Sequence, residues 1–134
     1  MVNITLVGPG GGGEPDEATF LALVDSGAER VLAAPGVARQ TGVTPDTDRS
    51  EPLKIGGEVR MVHPADVTLR LAPEPGLPGV EWQAEVGFFS AWTSAPWQVL
   101  LGQVGFFDQF TVTFSRHALQ LAVEDVQAFD RRLG

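Results

Sequence analysis

The apolar stretches of this chain are short, and almost every one ends at a glycine or a proline. The 16 glycines and 10 prolines among 134 residues make up about a fifth of the sequence, against roughly 12% in an average protein. Glycine has the most backbone freedom to lose in a regular element, and proline cannot continue a helix or donate in a sheet, so both act as punctuation. Long helices are excluded, and the pieces between the breaks have the length, and often the two-residue period, of strands. The expected class is all-β, in a single domain covering residues 1–134, since a chain of this size builds one core.

The elements follow in order. Val2 to Val7 alternates and runs into Gly8-Pro9-Gly10-Gly11-Gly12-Gly13, which reads as a loop. A phosphate cradle is disfavoured there because no Lys-Ser/Thr pair follows and Glu14, Asp16 and Glu17 repel an anion. Ala18 to Val24 is a continuous apolar run, the pattern of a buried strand, and it stops abruptly at Asp25-Ser26-Gly27. Val31 to Ala34 resumes a strand, Pro35 to Thr41 is one helical turn closed by Gly42, and Thr44 to Ser50 is a polar loop. Leu53 to Met61 and Val62 to Leu71 read as two strands around Gly56-Gly57 and Pro64. Val80 to Phe89 and Trp97 to Leu101 are further strands. Gly105 to Phe110 is expected to form a short helix, Thr111 to Phe114 and Leu119 to Val123 a closing hairpin, and Asp125 to Leu133 a C-terminal tail helix capped by Asp125.

Charge narrows the function classes. With 9 basic and 17 acidic residues, a net charge of -8 and Lys54 as the single lysine, the chain lacks the basic face of a nucleic-acid binder. The absence of cysteine excludes a disulfide framework and thiolate metal sites, and His63 and His117 offer a metal little, each reading as a surface or loop residue. Asp46 and Asp48 lack calcium-loop spacing and read as solvated charge. Neither metal nor organic cofactor is expected. No apolar run reaches the roughly 18 to 20 residues that span a bilayer, and the first residues lack the charged start and apolar stretch of a secretory signal. The expected location is therefore cytoplasmic, away from membranes. Trp82, Trp92 and Trp97, with Phe88 and Phe89, read as packing residues rather than a base-stacking platform.

Two segments join an apolar strand to a sharp glycine stop: Leu23-Val24-Asp25-Ser26-Gly27-Ala28 and Val99-Leu100-Leu101-Gly102. Asp-Ser-Gly alone is an ordinary turn. Together with the downstream segment, the order and the interval, it resembles the Asp-Thr/Ser-Gly-Ala signature and hydrophobic-hydrophobic-Gly strand of retropepsin-like aspartic proteases, in their small bacterial stand-alone form. The likeness covers residues 1–123 and leaves 124–134 as a tail.

The resemblance implies a closed β-barrel of the acid protease fold, with a short helix near its C-terminal part, and an endopeptidase that acts on polypeptide. Such an enzyme needs two carboxylates too close for both to ionise. One Asp-Ser-Gly per chain then implies a homodimer, with Asp25 facing its counterpart across a two-fold axis. Asp25, Ser26 and Gly27 are the implied catalytic turn, Ser26 locking it by a hydroxyl bond across the dyad and Gly27 letting the backbone approach substrate. Ala28 withholds a further hydroxyl, which leaves a less acidic pair. Ala28, Glu29 and Leu101 are implied to contact substrate, as are Ile55, Gly56 and Gly57 within Lys54-Ile55-Gly56-Gly57-Glu58-Val59, read as a flap or as an ordinary hairpin turn.

Two positions depart from the family's pattern. Glu29 stands where an Asp is usual and Gln103 where an Arg is usual, so their ion pair is lost and Arg30 is the neighbour left for Glu29. That departure is the argument for a competing reading, a non-catalytic dimerisation or peptide-binding module. A structural domain with no such site is the third.

Overall fold

Alternation decides which way each strand faces. The computed structural model describes residues 2–9, 16–55, 57–71, 79–92, 97–115 and 120–125. In β1 (Val2–Gly8), Ile4 and Leu6 are fully buried while Thr5 points outward, its hydroxyl 2.8 Å from that of Thr19. β2 (Asp16–Val24) pairs antiparallel with β1 from Val2↔Ala22 to Gly8↔Asp16. It is not buried on both faces as its apolar run predicts: Phe20 and Ala22 are core, but Thr19 and Leu21 are exposed. A barrel strand has an outside, and Leu21 occupies it.

Next come β3 (Leu32–Ala33), α1 (Pro35–Thr41), β4 (Glu51–Ile55), β5 (Glu58–Leu71), β6 (Val80–Phe89), β7 (Val99–Leu101), β8 (Phe110–Ser115) and β9 (Gln120–Asp125). The sheet runs β1-β2-β7-β3-β6-β5 and returns to β1 through Thr5–Val7 against Thr68–Arg70. Six strands thus close a barrel and leave no open edge within it. β4 lies outside the ring, paired only with the first part of β5.

The strand boundary expected between Met61 and Val62 is absent: β5 runs unbroken from Glu58 to Leu71, straight through Pro64. The reason is where its polar groups point. Its carbonyl accepts from Asp46 N at 2.8 Å, on the edge of β5 between the stretches taken by β4 and β1. A missing N–H on that edge breaks no ladder bond. α1 is the helical turn expected at Pro35–Thr41, with proline in its first turn and Gly42 closing it at φ 70°.

The predicted helix at Gly105 to Phe110 is instead a run of turns. Gly105 sits at φ 101°, and the amides of Phe107 and Asp108 reach back five residues, to Gly102 and Gln103, while that of Gln109 reaches back three, to Phe106. The run seats Phe106 and Phe110 in the core, where Trp82 meets Phe110 edge-on at 4.7 Å and donates to Gly105 O at 2.6 Å. β8 and β9 form the closing hairpin, with Val112 and Val123 against the same core. Asp125, the expected cap, is the last residue of β9. The rest of the tail-helix stretch, like His117 and Gly10 to Gly13, lies outside the described residues. His63 is half-buried on β5, not in a loop. Among the described residues no helix is long and apolar enough to cross a membrane.

On the outer surface Arg70 of β5 grips Glu17 of β2 through two hydrogen bonds of 2.9 Å and Glu81 of β6 through a third of 2.7 Å. The hydrogen bonding from Arg70 holds the Glu17 carboxyl below its ordinary 4.5, outweighing the opposing effect of desolvation, with the arginine's charge adding a lesser pull downward. A lowered carboxyl stabilises the fold above its unfolded value, and that stabilisation is lost as pH falls through the folded one. The thermal midpoint should therefore drop as pH is taken below 4.5, and Glu17→Gln should flatten part of that drop in a melting series.

Candidate active site

β2 and β3 are joined by the Asp25-containing loop but do not pair with each other. β7 lies between them, parallel to β2 (Leu23↔Leu100, Val24↔Leu101) and antiparallel to β3 (Leu32↔Leu100). The loop is thereby held over the end of β7. Asp25 N donates to Leu101 O at 3.0 Å, extending the β2–β7 ladder by one residue, and Ala28 N donates back to Asp25 O at 3.2 Å. The Asp25 carboxylate accepts from Gly27 N at 2.9 Å, an aspartate turn that aims the side chain and closes the bend together.

Beyond the bend the chain is fastened to the segment that leaves β7. Gln103 N donates to Ala28 O and Val104 N to Glu29 O, both at 2.9 Å, and Val31 N donates to Val104 O at 3.0 Å. Gly102 permits this approach, since a Cβ there would lie 2.8 Å from Ala28 O and closer still to Arg30 O. Gln103 donates through Nε2 to Ser26 O at 2.7 Å. So this side chain braces the turn as a neutral amide. Ser26 is exposed, and it is its carbonyl that is engaged within the chain.

Asp25 opens onto a cavity of about 570 Å³ whose walls include Leu23, Leu32, Leu53, Leu100 and Trp97. Gly27, Ala28 and Glu29 line it too. Leu101 does not: it is fully buried in the barrel core, and Leu100, one residue earlier and so on the opposite face of β7, meets the cavity. On the far side Pro52, Leu53 and Lys54 of β4 form the wall. The last pairing of β4 with β5 is Ile55 opposite Glu58, and Gly57 sits at φ 84°. Gly56 and the Ile55 side chain lie outside the described residues.

Arg30 is not the partner of Glu29. It meets Glu51, the first residue of β4, at 2.6 Å and Glu85 of β6 at 3.4 Å. Arg49 pairs with the same two carboxylates, at 3.8 and 3.2 Å, and its pKa is raised chiefly by the hydrogen bond to Glu85. No sequence signal joins positions 30, 49, 51 and 85, and the strand pairing alone brings them together. The cavity walls were visible in the sequence only as apolar strands. Leu32 and Leu100 of those walls join Val62 and Phe89 in a second apolar cluster, against which Trp92 and Trp97 pack, so these tryptophans do serve as packing. Compared with protein-family models, with curated proteins and with solved structures, the chain matches none.

Proposed function

We propose that the protein is a retropepsin-like aspartic endopeptidase that works as a homodimer. The observation that carries this reading is the placement of the Asp25 carboxylate: at the end of a strand, on a turn braced by β7, facing an apolar cavity walled on its far side by a hairpin. In the dimer Asp25 and the partner's Asp25 share one proton, because two adjacent negative charges repel too strongly for both to ionise. The ionised carboxylate takes a proton from water, whose oxygen attacks the peptide carbonyl while the other carboxyl protonates the carbonyl oxygen. Collapse of the tetrahedral adduct breaks the C–N bond, the proton taken from water passes to the leaving amine, and one hydroxyl of the adduct returns its proton to the carboxylate that had protonated the carbonyl oxygen, restoring the shared proton. Leu23, Leu32, Leu53 and Leu100 favour apolar side chains beside the scissile bond, with the peptide extended along the hairpin.

The test is cleavage of an unstructured peptide library between about pH 4 and 7, with molecular mass measured on the same samples. Cleavage by a dimer is expected; a folded monomer that cleaves nothing overturns the reading. One observation favours the non-catalytic peptide-binding module instead. Arg30 is committed to Glu51 and Glu85, so Glu29 has no ion pair among the described residues. A dimer that binds peptide without cutting it would decide for that module.

A further inference from the structure

The four charges around Arg30 form a closed ring: Arg30 to Glu51, Glu51 to Arg49, Arg49 to Glu85, and Glu85 back to Arg30. Arg30 is its most enclosed member, with a side chain 17% exposed against 53%, 47% and 40% for Arg49, Glu51 and Glu85. It is also clamped at both ends. Its carbonyl sits against the glycine face of Gly102, and its guanidinium carbon occupies space left by Gly87, where a Cβ would lie 3.2 Å away. Arg30 follows the Asp25 turn directly in the chain and lines the same cavity, while Glu51 begins the one strand of the sheet outside the closed ring.

Among the described residues β4 has a strand neighbour on one side only, β5. Leu53 packs into the apolar cluster beneath the cavity, but along β4 the polar tie to the Asp25 side is Glu51 with Arg30. We infer that Arg30 is a positioning residue, setting the height of the β4–β5 hairpin over the Asp25 cavity by holding its root. The inference rests on the peptidase reading only for what the cavity holds, because the mechanical tie stands on the ion pairs themselves. It also has a directional consequence. The Asp25 turn is fastened by main-chain bonds to Leu101, Gln103 and Val104, none of which uses the Arg30 side chain. Losing that side chain should loosen the wall that grips the peptide and leave the carboxylate in place, so KM should suffer more than kcat.

The variants are Arg30→Gln, Arg30→Lys, Glu51→Gln and Glu85→Gln in the full chain. Arg30→Gln should fold, because Glu51 and Glu85 are both substantially exposed and keep Arg49 as a partner. Hydrogen exchange is the readout independent of activity. With Arg30→Gln the Leu53 to Ile55 amides should exchange about tenfold faster while those of Ile4 to Leu6 in β1 do not change. KM for an extended peptide should rise about five- to tenfold with kcat within about twofold. Lysine should recover part of this, since an ammonium reaches one carboxylate well but not two in the fork geometry of arginine. Glu51→Gln should reproduce the effect, and Glu85→Gln, which spares the link to β4, should fall well short of it. Unchanged β4 exchange with Arg30→Gln, or equal effects of the two glutamate variants, overturns the inference. A wild type that does not cut peptide overturns the peptidase reading instead, and the exchange rates then decide the role of Arg30 alone.

Discussion

Asp25→Asn is expected to abolish peptide cleavage and leave the barrel intact. The substitution is nearly isosteric, and its Oδ1 can still accept the hydrogen bond that Gly27 N gives the aspartate at 2.9 Å, so the turn keeps its geometry. The main-chain bond from residue 25 to Leu101 O at 3.0 Å is indifferent to the side chain. What disappears is a group able to hold a proton in one step and release it in the next. In a homodimer both copies lose it together, so cleavage should fall at least about a thousandfold, at the upper end of what one acid–base group contributes. Initial rates on a fluorogenic peptide, with circular dichroism and sedimentation of the same samples, separate this from unfolding or dissociation. Retention of substantial activity in a folded dimer would remove Asp25 from the chemistry.

The second large effect is expected at Gly102. A Cβ there would lie 2.8 Å from Ala28 O and nearer still to Arg30 O, and both are main-chain atoms that no rotamer change can move aside. Gly102→Ala must push the end of β7 away from the Asp25 loop. That strains or breaks the bonds from Gln103 N to Ala28 O and from Val104 N to Glu29 O. Two weakened, partly buried hydrogen bonds and a backbone shift should cost about 3 kcal/mol or more of stability. Gly57→Ala is the comparison: it carries the strain of φ 84° but has open space for the Cβ, so it should cost only about 1 kcal/mol. Urea midpoints for the two variants check the ordering. Gly102→Ala should also lose cleavage where it still folds, because Asp25 is placed by those same bonds. Equal midpoints would show that β7 and the loop do not approach as closely as described.

What the sequence determined by itself is mostly local. The period-two stretches at Val2 to Val7 and Val80 to Phe89 are strands with nearly those bounds, because alternation of apolar and polar side chains is how one face of a strand is buried. The Asp25 turn was legible for a similar reason: a short polar side chain before Ser-Gly bonds its own backbone two residues on, with or without a tertiary context. The α1 turn and its glycine stop belong to the same class.

Where a local rule had more than one outcome, only the tertiary structure decided. Pro64 signals a break, yet β5 continues because that edge has no strand to receive a hydrogen bond there. The apolar run at Gly105 to Phe110 suits a helix, but Gly105 at φ 101° turns the chain so that Phe106 and Phe110 reach the core. Whether Leu100 or Leu101 meets the cavity depends on the register of β7 between β2 and β3. Closure of the barrel, from Thr5 to Arg70, and the ring joining Arg30, Arg49, Glu51 and Glu85 are further still from any local signal. Turn chemistry and periodicity act between neighbours in the chain and so leave a mark in the sequence. Charge pairing and strand order act between residues that meet only after the backbone has closed.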